Sequence, residues 1–182
     1  EPDGVEASMM FLRDLVIDKQ AETDALDHVV VAIIPFYNIG GVLNRNSHSR
    51  TNQNGPKAYG FRGNTRNYDL NRDFIKADTR NAGAFQEIFQ LLDPDLFIDT
   101  HVSNGADYQH VMTLVYSQKD KLGGRLAKYL EAEMLPRLFD SMEEAGYPAV
   151  PYVNAFRNTP DKGFSQFLDL PRYSTGYAAL FH

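Results

Sequence analysis

The chain has 182 residues, no cysteine and a formal net charge of −6, with 43% hydrophobic and 23% charged residues. That is enough for one domain with a sizeable core, and the balance is that of an ordinary globular protein. No apolar run approaches the roughly 18 residues a membrane span needs. Disulfides and thiolate metal ligands are excluded, so a metal here would be held by His, Asp or Glu.

In chain order, residues 4–18 place Val5, Met9, Leu12 and Leu15 at helical spacing and predict an amphipathic helix. DHVVVAIIP (27–35) is a β-branched run closed by Pro35, which predicts a strand buried on both faces. Residues 36–67 are rich in Gly, Asn, Ser and Arg and lack periodicity, which predicts a long loop of the kind that is either functional or disordered. A helix follows at 79–92, with Phe85, Ile88, Phe89 and Leu92 toward the core and Asp93-Pro94 as its stop. DLFIDTH (95–101) and HVMTLVYS (110–117) read as two further strands. Residues 120–145 are helical in spacing, with Pro136 set to kink or split the element. Residues 149–155 read as a strand and 174–182 as the start of a helix. Helices alternating with buried strands predict an α/β fold, a mixed and mostly parallel central sheet with helices on both faces. The chain opens on Glu1 without Met and closes on Leu-Phe-His, so we read 1–182 as one catalytic-type domain truncated at both ends.

Charge is segregated along this chain. From His28 to Tyr68 there is no acid, yet Arg45, Arg50, Lys57, Arg62 and Arg66 lie there. Residues 61–74 read FRGNTRNYDLNRDF, three arginines supported by asparagines. Arginine recognises carboxylate or phosphate with a rigid fork of donors. Nucleic acid wants a broad basic face on a basic domain, which an acidic chain does not offer; a focused anion pocket fits better. His101 ends the strand LFIDTH, where side chains of α/β sheets meet ligands. Position leaves it open between that role and a hydrogen-bonded structural histidine. Alternation puts Asp99 on the same face, roughly 7 Å away, where it would orient a ligand histidine. PRYSTGY (171–177) reads as a loop entering a helix.

Taken together, these pieces resemble a zinc carboxypeptidase of the carboxypeptidase A type. Glu1-Pro2-Asp3-Gly4 is similar to the end of that family's His-x-x-Glu metal motif. VVVAIIPFYNIGG is similar to its strand leading into a loop around an Asn, with Asn38-Ile39-Gly40-Gly41 in place of Asn-Pro-Asp-Gly. Arg62-Gly63-Asn64 and Asp69-Leu70-Asn71-Arg72-Asp73-Phe74 match its Arg-x-Asn and Asp-Leu-Asn-Arg elements. Asp95 to His101 matches the strand delivering a further metal ligand, and Tyr173-Ser174-Thr175-Gly176 resembles its mobile tyrosine region.

The resemblance implies a carboxypeptidase-like fold and a zinc-dependent hydrolase acting on peptides with a free C-terminal carboxylate. It implies that Glu1 and His101 are metal ligands, and that Asn71 and Arg72 grip the carboxylate. It implies that Arg62 stabilises the oxyanion, with Arg66 the alternative, that Tyr173 binds substrate and that Asn64 shapes the loop. A His before Glu1 and a general-base Glu after the helix begun at 174 would complete the site, so the chain alone is expected to be inactive. Glu143 and Glu144 lie on a polar helical face and His182 in an apolar run, so neither place supplies the missing groups. The resemblance implies a secreted or periplasmic protein. Two other readings share the grip: an N-acyl-amino-acid or murein-peptide amidohydrolase, and a non-catalytic binding domain that has lost the metal. Small and apolar residues at 173–179, with no acid among them, favour neutral or apolar C-terminal residues in the substrate.

Overall fold

The computed structural model describes residues 2–17, 25–49, 55–103, 108–155 and 160–181. The chain divides into two units, Glu1–Leu70 with Thr100–Asn104 and Asn71–Asp99 with Gly105–His182. The described residues mix helices with short strands, an α/β composition built on small sheets.

In the first unit, helix α1 spans Pro2–Val16, Asp3 in its first turn and Arg13 in its last opposing the helix dipole favourably. None of its residues is fully buried: of the apolar face anticipated at 4–18, Met9 and Leu12 are exposed and Val5 and Leu15 half-buried. Gly4 makes a close approach: a Cβ there would fall 2.1 Å from Thr100 Oγ1, so only glycine lets the helix pack against that side chain. Helix α2 is the short Ala25–His28. The β-branched run that follows forms no ladder with any described residue, and Val30 is 90% exposed. A strand needs a neighbour to take up its backbone hydrogen bonds. The anticipated strand at 27–35 therefore begins as helix and continues unpaired.

Helix α3, Ile39–Leu43, interrupts the anticipated 36–67 loop. The side chain of Asn38 caps it, accepting from Gly41 N at 2.9 Å. A single bridge between Asn46 and Tyr59 ties the loop back on itself.

In the second unit, helix α4 spans Arg80–Leu92 within one residue of expectation. Thr79 caps it by accepting from Ala82 N at 3.1 Å, and Asp93 closes it in the left-handed conformation. Ala82, Phe85 and Phe89 form its buried stripe, while Ile88 and Leu92 face outward. The core is aromatic: Phe85 contacts Phe74, Phe89, Phe97 and Tyr177 with ring centroids 5.1 to 6.0 Å apart. Edge-on and tilted arrangements dominate, as the ring quadrupole prefers.

Strand β1 (Met112–Leu114) pairs in parallel with β2 (Ala149–Pro151). Helices α5 (Lys119–Leu122), α6 (Gly124–Tyr129) and α7 (Leu135–Glu144) form the crossover between them. Proline at 136 cannot donate to the preceding turn, and the backbone answers with a π-type turn at Leu130–Met134 just ahead of it. Strand β3 (Val153–Ala155) pairs antiparallel with β4 (Phe164–Gln166), and α8 (Ser174–Ala178) follows. No larger central sheet forms among the described residues. The anticipated strand at 95–101 finds no ladder partner among the described residues either, and Ile98 is 72% exposed. No described helix is long and apolar enough to cross a membrane.

Candidate anion site

Arg62 and Arg72 share a residue type and a motif, and their local structures differ. In the first unit, residues 63–69 close into a tight turn. Gly63 bridges Asp69, Asn64 Oδ1 accepts from Arg66 N (2.9 Å) and Tyr68 N (3.1 Å), and Asn67 takes a left-handed φ of 63°. Asparagine suits both places, since its amide mimics a backbone turn and it tolerates that region. The expectation that Asn64 shapes the loop is met by these two bonds.

The turn sets Arg62 beside Asp69. Nε and Nη2 donate to the same Asp69 oxygen at 2.9 and 2.8 Å. Asn38 clamps the stem from behind, its Nδ2 donating toward the carbonyls of Phe61, Arg62 and Gly63 at 3.1 to 3.3 Å. A Cβ at Gly41 would lie 2.2 Å from Phe61 O, so the helix start and this stem touch backbone to backbone. Asn38 is a positioning residue whose part the sequence did not reveal, because its partners lie 23 to 25 positions on. Arg66 sits exposed at the turn.

In the second unit, Arg72 ends a short turn, Leu70–Arg72, and precedes buried Asp73. The Asp73 carboxylate accepts from Asp78 N (2.9 Å), Thr79 N (3.0 Å) and Thr79 Oγ1 (2.7 Å). Phe74, next in the chain, lies in the aromatic core. The backbone carrying Asn71 and Arg72 is thus fixed on its C-terminal side. Arg72 Nη1 donates to the Asn71 carbonyl at 2.7 Å, and its guanidinium carbon lies 4.7 Å from the Tyr173 ring centroid. Arg172 also stacks on that ring, at 4.9 Å, and donates through Nη2 to Tyr173 Oη at 2.8 Å. Neither Arg72 nor Arg172 has a carboxylate within ion-pair distance among the described residues.

Tyr173 is well supported. Its ring meets Phe167 at 5.4 Å, Phe167 meets Tyr152 at 5.3 Å, and Tyr152 meets Tyr108 at 6.0 Å. Burial first, and the neighbouring Tyr108 second, push the Tyr152 phenol up to about 12, so it stays neutral. Behind Tyr173, Gly176 presses on the 169–170 backbone, where a Cβ would fall 2.1 Å from Leu170 O. Lys121 holds the same stretch, donating to the carboxylate of the 1% exposed Asp169 at 2.9 Å and to its carbonyl. Ser174, 3% exposed, donates to Asp99. Asp99 thus accepts from this serine and anchors the start of α8.

His101 is an exposed residue of the first unit, one position after the Thr100 that Gly4 packs against. Glu1 and His182 lie outside the described residues, as do Asn104 and Gly105 of the turn after His101. Among the described residues no three His, Asp or Glu side chains gather in a metal-holding group. They do not by themselves fit a zinc ion, which takes at least three protein ligands.

Tyr173 and Arg72 are thus brought together with Asn71 beside them, and Arg62 is engaged by Asp69. Arg172 was not singled out from sequence, although it stands in the quoted PRYSTGY beside the tyrosine. Compared with family models, with curated proteins and with solved structures, the chain finds no match in any of the three.

Proposed function

We propose that this chain binds peptides by their C-terminal carboxylate, in the manner of a zinc-dependent metallocarboxypeptidase. The observation that carries this reading is the Arg72 guanidinium, held over Tyr173 beside Asn71 and lacking a carboxylate partner among the described residues. A guanidinium whose backbone is anchored by a buried Asp and which sits over a ring is pre-organised for a planar anion. Asn71 adds an amide able to donate to the same carboxylate.

The remaining roles rest on the resemblance. Glu1 and His101 would be metal ligands, and the approach of Gly4 to Thr100 supports a link between the two segments that carry them. Arg62, which the resemblance sets against the carbonyl of the scissile bond, would have to leave Asp69 to take that role, and carboxylate binding by Arg72 does not require it. Zinc, when bound with an open position, supplies a water of pKa about 7. A carboxypeptidase-like fold, a third ligand and a general base belong to the same proposal.

Calorimetric titration with N-acetyl-L-leucine and with its C-terminal amide tests the reading. The free acid is expected to bind and the amide to bind far more weakly, with the difference lost in Arg72→Gln. Equal binding of acid and amide would refute it. Among enzymes sharing the grip, cleavage of C-terminally free peptides marks a carboxypeptidase, and cleavage of N-acyl amino acids marks an amidohydrolase.

A further inference from the structure

Two guanidiniums rest on one tyrosine. Arg72 lies 4.7 Å and Arg172 lies 4.9 Å from the Tyr173 centroid, so they are at most about 10 Å apart. Like charges this close repel, and proteins ordinarily interpose a carboxylate. None of the described residues provides one for either arginine. Each spends few of its five N–H donors internally: Arg72 donates to the Asn71 carbonyl, and Arg172 donates to Tyr173 Oη at 2.8 Å. The Tyr173 bond also orients the Arg172 fork, so part of its ordering cost precedes any ligand.

From this geometry we infer that Arg172 is a specificity-determining residue and that the site takes a dicarboxylate, a ligand whose C-terminal residue is glutamate or aspartate. The α-carboxylate goes to Arg72 and Asn71, and the side-chain carboxylate goes to Arg172. Tyr173 sets the separation between them. The inference rests on the carboxylate-binding reading and replaces the apolar preference drawn from the small residues around Tyr173. Those residues line the chain after the tyrosine; the charge that selects stands immediately before it.

The test is calorimetric titration of the full chain with N-acetyl-L-glutamate and N-acetyl-L-glutamine, which differ only in the second carboxylate. The native chain is expected to bind the glutamate about tenfold or more tightly, the worth of one charge-assisted contact. Arg172→Gln should abolish the discrimination, bringing the ratio of glutamate to glutamine affinity to about one. Arg172→Lys, which keeps the charge and loses the fork, should restore part of the preference. Arg172 is exposed, so these variants leave the core intact. No preference in the native chain, or a preference untouched in Arg172→Gln, overturns the inference. If the glutamine ligand still binds through Arg72 in that case, the carboxylate-binding reading survives alone. If neither ligand binds, both fall.

Discussion

Arg62 and Arg72 stand ten positions apart and serve different ends. Arg62 turns its Nε edge onto Asp69 within a turn braced by Asn38 and Asn64. Arg72 has no carboxylate among the described residues and places its guanidinium over the Tyr173 ring, as Arg172 does. The first guanidinium completes its own loop, and the second is the one we propose takes a ligand's carboxylate. Sequence spacing marks both as anion binders; only the local fold shows which one already has its anion.

The comparison is broken most severely at Asp73. Replacing it with Ala orphans the two backbone amides and the Thr79 hydroxyl that its carboxylate accepts from. Thermal unfolding should show a loss of about 3 kcal/mol, with carboxylate binding falling as the Arg72 backbone loosens. Arg72→Gln isolates the fork itself: affinity for N-acetyl-L-leucine should drop about a hundredfold while the melting temperature barely moves. Tyr173→Leu removes the ring beneath both guanidiniums, and titration should show a two- to fivefold loss, about the worth of an exposed cation–π contact. Asp69→Asn gives the smallest effect. The ion pair is half exposed, so stability should fall by less than about 1 kcal/mol, and carboxylate affinity should not change. A large affinity loss in Asp69→Asn would erase the contrast between the two arginines.

What was legible in the sequence was local. The spacing of Phe85 and Phe89 and the stop at Asp93-Pro94 mark helix α4 because periodicity and breakers act within a few residues, although Ile88 and Leu92, expected in the core, are exposed. Pro136 announces its own disturbance. The runs VVVAII and LFID read as buried strands because β-branched and apolar residues suit a ladder, but a ladder partner is not written in the strand itself. Asp99 shows the same limit. Alternation aligns it with His101, yet its hydroxyl donor Ser174 lies 75 positions away. Asn38 escaped for a like reason, since its carbonyl partners lie 23 to 25 positions on; Arg172 stood beside Tyr173 in the sequence, and what folding adds is Arg72 over the same ring. Asn71, Arg72 and Tyr173 were marked by motif, and the approach of the Tyr173 ring to Arg72 came from the structure.

The most direct test follows the arginine Nε–H signals by 1H–15N NMR while N-acetyl-L-leucine is added to the native chain. The account predicts that the Arg72 signal shifts and saturates with ligand, and that the Arg62 signal, bonded to Asp69, stays in place. A titration in which Arg62 moves and Arg72 does not, or in which neither responds, would contradict it.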